Sequence, residues 1–85
     1  MKRAYAIVVR PAKSNYSADC PDLPGCVVTG RTLDETLRRM RSAIRLHIDG
    51  LRAHRLPVPR PATKLTTLVR ERGVEQIYAV VQVAA

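Results

Sequence analysis

Two cysteines and two histidines have the widest chemical repertoire in this chain: Cys20 and Cys26, His47 and His54. Thiolates and imidazoles together build zinc sites or nucleophile–base pairs. The spacing favours neither. Five residues separate Cys20 from Cys26, wider than the usual zinc pair. The histidines are seven apart in a helical pattern, and nothing local makes four ligands converge. Neither histidine is placed by spacing beside Cys20, Cys26 or Ser17, where a general base would have to stand. The expectation is structural, with small buried thiols and half-buried imidazoles at the edge of a core. A Cys20–Cys26 disulfide is conceivable across a turn, but a reducing cytoplasm disfavours it.

The seven acids are Asp19, Asp22, Asp34, Glu35, Asp49, Glu71 and Glu75. Two lie near a proline-rich turn, and three lie on a helix with capping or ion-pairing work to do. None falls at the middle of an expected strand, where a two-metal nuclease places its ligands. The expectation is therefore no catalytic residue, no metal and no cofactor.

Charge is the strongest compositional signal. Fifteen Lys and Arg against seven acids leave +8 at neutral pH. Such a balance suits nucleic acid, an anionic surface or an acidic protein, and it is silent about fold. Single-strand readers stack bases on clustered aromatics. This chain has three tyrosines, Tyr5, Tyr16 and Tyr78, and neither Trp nor Phe. Tyr5 and Tyr78 on adjacent strands would make a two-ring platform, although solitary strand tyrosines are more often packing residues. A ribbon-helix-helix DNA binder is excluded, because Pro11 and the later prolines stand where its first helix belongs.

The elements that position these residues are well marked. At 85 residues and 46% apolar, the chain is long enough for one small core and too apolar for a disordered tail. Residues 4–9 (Ala-Tyr-Ala-Ile-Val-Val) predict a first strand ending at Arg10-Pro11. That run is also too short for a signal-peptide core, and nothing approaches a membrane span. Residues 14–20 predict a second strand and residues 26–30 a third. Between them, Cys20-Pro21-Asp22-Leu23-Pro24-Gly25-Cys26 must turn, because two prolines remove backbone donors and Gly25 opens conformations closed to other residues.

Thr32-Leu33-Asp34-Glu35 reads as a capping box opening a helix that runs to about His54. Leu33, Leu37, Met40, Ile44, Ile48 and Leu51 recur every three or four residues and form one apolar stripe. Arg38, Arg41, Arg45 and Arg52 gather on one flank, with Asp34 and Asp49 spaced to pair with them in part. Leu46 lies off the stripe and is a candidate subunit contact. Pro57-Val58-Pro59-Arg60-Pro61 ends the helix in an extended crossing. Residues 66–72 suit one or two helical turns closed by Gly73, or a strand, and residues 76–83 suit a last strand. The expected fold is α+β: strand, strand, strand, helix, strand, with the long helix on one face of a mixed sheet. The helix and crossing are long enough for the last strand to return parallel beside the first.

The run Tyr16-Ser17-Ala18-x-Cys20-Pro-Asp-Leu-Pro-Gly-Cys26-Val-Val-Thr-Gly30-x-Thr32-Leu-x-Glu35 resembles the HicB-like antitoxin family. Ala43-Ile44-x-Leu46-His47-x-x-Gly50-Leu51 and then Pro57-Val58-Pro59 extend the resemblance. It implies a degraded, catalytically inert ribonuclease-H-like α+β domain over residues 1–85, without a separate DNA-binding domain. It further implies a partner that is a HicA-type messenger-RNA-cleaving toxin; the short apolar runs suggest the cytoplasm, and a core without Trp or Phe suggests a homodimer or higher oligomer. Pro21, Asp22, Leu23, Pro24 and Leu46 are the candidate contact residues, with the turn first of all architectural. The alternative is an orphan basic module that associates with RNA or another acidic partner through Arg38, Arg41, Arg45 and Arg52.

Overall fold

Strand β1 (Lys2–Pro11) is buried without interruption from Tyr5 to Val9. A strand covered on one face alternates between buried and exposed, so an unbroken run means cover on both faces. In the computed structural model, which describes residues 2–73 and 76–84, two helices supply that cover. The element order is β1, β2 (Tyr16–Asp19), β3 (Val27–Gly30), α1 (Leu33–Ala53), α2 (Leu65–Arg72) and β4 (Ile77–Ala84). The strands form one sheet in the order β3-β2-β1-β4.

Helix α1 covers the first face. Tyr5, Ile7 and Val9 point into a core with Ala18, Cys20, Leu23, Cys26, Val81 and Val83, met by Met40, Ile44 and Ile48 from the helix. The apolar stripe thus packs as its spacing predicts, with Leu33 and Leu37 half-buried at its margin. Helix α2 lies on the second face. Its Leu68 is buried with Ala6 and Val8, and Leu65 and Tyr78 close the same small cluster. Residues 66–72 are therefore helical, ending at Gly73 with φ 88°, a conformation open to glycine at little cost.

This second helix overturns the expected parallel last strand. Every neighbouring pair is antiparallel, including β1 with β4, where Tyr5 faces Val81 and Val8 faces Tyr78. The physical reason is the route of the chain. Helix α1 brings it back to the end of the sheet where β1 begins, and from there a strand would run parallel to β1. Instead α2 carries the chain back across the other face, so β4 starts at the far end and runs the opposite way. The same register undoes the two-ring platform. Tyr5 and Tyr78 sit three rungs apart on opposite faces, with Tyr5 wholly buried.

The ends of α1 show what local signals accomplish. Thr32 accepts from the Glu35 amide (3.1 Å), which is half of the capping box. The Glu35 carboxylate turns to Arg39 at 2.6 Å rather than back to Thr32. At the other end, Leu56 N–H donates to the Leu51 carbonyl (2.8 Å) and Arg55 N–H to that of Arg52 (3.0 Å), with Arg55 at φ 57°. This is the bonding pattern of a Schellman stop, with arginine in the place glycine usually takes.

Candidate functional site

The segment between β2 and β3 consists of two successive turns that share Leu23. Leu23 N–H donates to the Cys20 carbonyl and Cys26 N–H to the Leu23 carbonyl, each at 3.0 Å. Pro21 and Pro24 therefore hold the second position of their turns, where a fixed φ is pre-set. Gly25 follows Pro24 at φ 87°, the left-handed conformation that a type II turn demands. Cys20 N–H closes the base by donating to the Cys26 carbonyl (3.3 Å).

The double turn directs its side chains in opposite senses. Leu23, Cys20 and Cys26 enter the core, and Leu23 has no exposed surface. Burial pushes the Cys20 thiol up to about 12, although the Asp22 and Leu23 amides oppose the rise, and burial raises Cys26 as well. Both are protonated thiols at neutral pH, so neither supplies a ready thiolate nucleophile. His47 is half-buried and His54 is exposed, its Nδ1 lying 2.9 Å from the Gly50 carbonyl oxygen. Among the described residues, no three of the His, Cys, Asp and Glu side chains gather closely enough to hold a metal ion.

Asp22 ties the turn to the far end of the chain. One carboxylate oxygen accepts from the Ala62 and Thr63 amides, both at 3.0 Å, and the other from the Thr63 hydroxyl at 2.7 Å. Partial burial pushes its carboxyl up, and the three donors more than offset this, holding it below the usual carboxylate range. Tyr5 adds a second tie nearby by donating to the Pro59 carbonyl (2.6 Å). Together they tie the 54–64 crossing to β1 and to the β2–β3 turn and direct it toward α2.

A depressed folded-state carboxyl contributes stability above its unfolded value of about 3.9, and that contribution is lost as pH falls through the folded value. Asp22→Ala is expected to cost about 1–2 kcal/mol at pH 7, discounted from charged hydrogen-bond values because the site is half-exposed. The gap between the two proteins in denaturant titrations should narrow as pH falls below about 3.9 and on through the lower folded-state value. A gap that persists at low pH would mean that the carboxylate charge is not what stabilises the clamp.

The remaining predicted contact residues divide by exposure. Pro24 is exposed, Pro21 half-buried and Leu46 74% exposed, so these three are open to a partner. Leu23 is in the core and Asp22 is engaged by the crossing. The sequence reading missed what lies beside the turn. Helix α2 covers the β1–β4 half of its face and leaves Val27 58% exposed next to Pro24. Asp19 is flanked there by Arg10 (2.6 Å) and Arg72 (3.8 Å). These residues and the turn line a hollow of about 320 Å³. Alternation along β3 was the available signal, since Val28 faces the α1 core and its neighbour Val27 must face away.

The arginine flank of α1 is exposed throughout at Arg38, Arg41, Arg45 and Arg52. The expected local pairing with Asp34 and Asp49 does not form. Among the described residues, the ion pairs are Arg39 with Glu35 and the two at Asp19. Glu35 and Arg39 are four apart on a face that also meets β3, which gives Arg39 a second acceptor at the Thr29 carbonyl (2.9 Å).

Comparison with known proteins agrees with this geometry. The chain is 35% identical over 54 residues to a UPF0150 protein of Thermoplasma acidophilum, spanning 64% of this chain and 78% of that one. The N-terminal domain of the Burkholderia pseudomallei antitoxin HicB superposes with a TM-score of 0.83 at 25% identity, covering 96% of this chain and 99% of that one. A chain of a HicA3 and HicB3 toxin-antitoxin complex shares the fold at a TM-score of 0.77 and 21% identity, covering 96% and 99%. Residues 5–85 match the family described as HicB_like antitoxin of bacterial toxin-antitoxin system. The four-stranded α+β sheet with its long helix is thus a fold shared with a known antitoxin domain, and the chain belongs to the HicB-like antitoxin family.

Proposed function

We propose that this protein is an antitoxin that acts by binding and neutralising a HicA-type messenger-RNA-cleaving toxin, in the cytoplasm and as a homodimer or higher oligomer. The family match across residues 5–85 carries the reading. The shared fold with a chain from a HicA3 and HicB3 complex is in keeping with it. The protein is a binding scaffold rather than an enzyme, its thiols being buried and Asp19, Asp22 and Glu35 being engaged in ion pairs and the crossing clamp. No helix among the described residues is long and apolar enough to cross a membrane.

The contact surface in this reading is the outer side of the double turn, Pro21 and Pro24 with neighbouring Val27, and separately Leu46 on the outer face of α1. Apolar residues open to solvent beside a rigid turn are the kind of anchor that a protein interface desolvates. The test is co-expression with the product of the adjacent gene, assayed as a HicA-type toxin and scored by growth and by co-purification. Wild type should restore growth and retain the toxin. Pro24→Glu and Leu46→Glu, both at exposed positions, should each weaken retention at least tenfold without altering the folded spectrum. Failure of wild type to protect would remove the antitoxin reading.

Net charge and four arginines without carboxylate partners among the described residues support a second reading, an orphan module on RNA or another acidic partner. Salt separates the two. Binding through six or more phosphates weakens about 10³-fold or more between roughly 50 and 200 mM salt. A toxin complex carried by apolar contact should weaken far less.

A further inference from the structure

The sheet has two edges, and they differ in how they end. The β3 edge is four residues long, closes on Gly30, and has its Thr29 carbonyl occupied by Arg39. Native edges are commonly blunted in this way, by shortness and by a charged side chain on the backbone. The β4 edge carries neither protection. It is eight residues, Ile-Tyr-Ala-Val-Val-Gln-Val-Ala, with no charge, proline or glycine. Val80 at its centre is 50% exposed. Such a strand offers a row of backbone donors and acceptors to another strand.

Beside this edge runs a groove of about 290 Å³, lined by Asp34, Leu37, Arg38 and Arg41 from α1 with Val80 and Val81 from β4. Its charge is ordered along the helix, with Asp34 at the N-terminal end, Leu37 and Arg38 in the middle and Arg41 at the far end. Asp34 has no ion-pair partner among the described residues. A two-fold axis at the centre of such a groove exchanges its ends and sets Asp34 of one copy against Arg41 of the other. The two ends of the groove are therefore complementary across the axis, and their attraction works against the repulsion of the two exposed Arg38 side chains near it.

We propose that β4 is a homodimer interface, in which two copies pair antiparallel through β4 into one continuous eight-stranded sheet (twice the four strands of each copy). This rests on the reading of the protein as a self-associating antitoxin and names the surface that does it. Directly opposed residues of antiparallel strands share a face. Val80 therefore meets Val80 of the second copy on the α2 side, and Ala79 meets Val81 on the α1 side. The pairing removes the exposed valine from water and satisfies the open edge, and the two Asp34–Arg41 pairs fix its register.

Sedimentation equilibrium of the whole chain at tens of micromolar tests this. Wild type is expected near 19 kDa, twice the 9.5 kDa of the chain. Val80→Lys sets two ammonium groups against each other and should return the mass to 9.5 kDa with unchanged circular dichroism. Asp34→Arg and Arg41→Asp should each weaken the dimer about tenfold, and together restore it, a rescue that damage to the fold would not produce. A monomeric wild type overturns both self-association and the surface, including the case where another protein's strand takes the edge. A dimer indifferent to Val80→Lys and to both charge reversals overturns the surface alone. Toxin retention, measured separately, bears on neither outcome.

Discussion

Leu23→Ala should lower the unfolding free energy by about 2–5 kcal/mol in a urea titration, whereas Pro24→Ala, one residue along, should cost about 1 kcal/mol or less. The two residues belong to the same double turn and differ in direction. Leu23 has no exposed surface and packs with Cys20, Cys26 and the α1 stripe, so truncation removes buried methyl groups and leaves a cavity. Pro24 is exposed, and its loss relaxes mainly the unfolded chain. Domains of this size have a total stability of roughly 4–13 kcal/mol, so the leucine change alone can leave a substantial unfolded population. The core contains neither Trp nor Phe to absorb the loss. Equal effects at the two positions would show that Leu23 does not anchor the core.

Gly30→Ala and Gly50→Ala should have opposite signs. A Cβ at Gly30 would collide with the Thr36 hydroxyl and come within 2.9 Å and 3.0 Å of the Thr36 backbone N and Cα. Thr36 cannot yield easily. It is fully buried, its hydroxyl donates to the Thr32 carbonyl at 2.7 Å, and it stands in the capped first turn of α1. The start of the helix would have to move off β3, at a cost of about 1–3 kcal/mol or more. Gly50 sits inside α1, where an added Cβ meets nothing within 4 Å. Alanine there should stabilise by about 0.5–1 kcal/mol, the ordinary helical difference between the two residues. Paired thermal melts decide the matter, and a stable Gly30→Ala protein would mean that the β3–α1 junction is looser than its geometry.

In the proposed reading the double turn serves both fold and toxin contact. Its inward residues complete the core and its acid clamps the crossing, leaving Pro21, Pro24 and Val27 on the outside. A variant that loses toxin binding is informative only with a stability measurement beside it, which is why the exposed Pro24 is a better probe of binding than Leu23 or Asp22.

Strand β1, the proline turn, the start and stripe of α1, and the strand at β4 were all legible in the amino-acid sequence, because each rests on residues within one or two turns of one another. Thr32 is three residues from the amide it caps, Pro24 and Gly25 fill adjacent positions of a single turn, and Met40, Ile44 and Ile48 lie on one face by helical period alone. The family resemblance was carried by the same local runs.

Tertiary structure decided the rest, and in each case the deciding contact spans a distance that local pattern does not encode. Asp22 reaches the amides of Ala62 and Thr63 some forty residues away. The closeness of Gly30 to Thr36 depends on the angle at which helix meets strand. A crossing of this length can return the chain either way, so the direction of β4 was open until α2 took the second face of the sheet. That placement buried Ala6, Val8 and Leu68 together, and burial of this kind depends on what lies opposite a residue rather than beside it in the chain. Whether an edge strand is covered or open is the same sort of fact, and it leaves β4 as the side of this sheet on which a second chain can add.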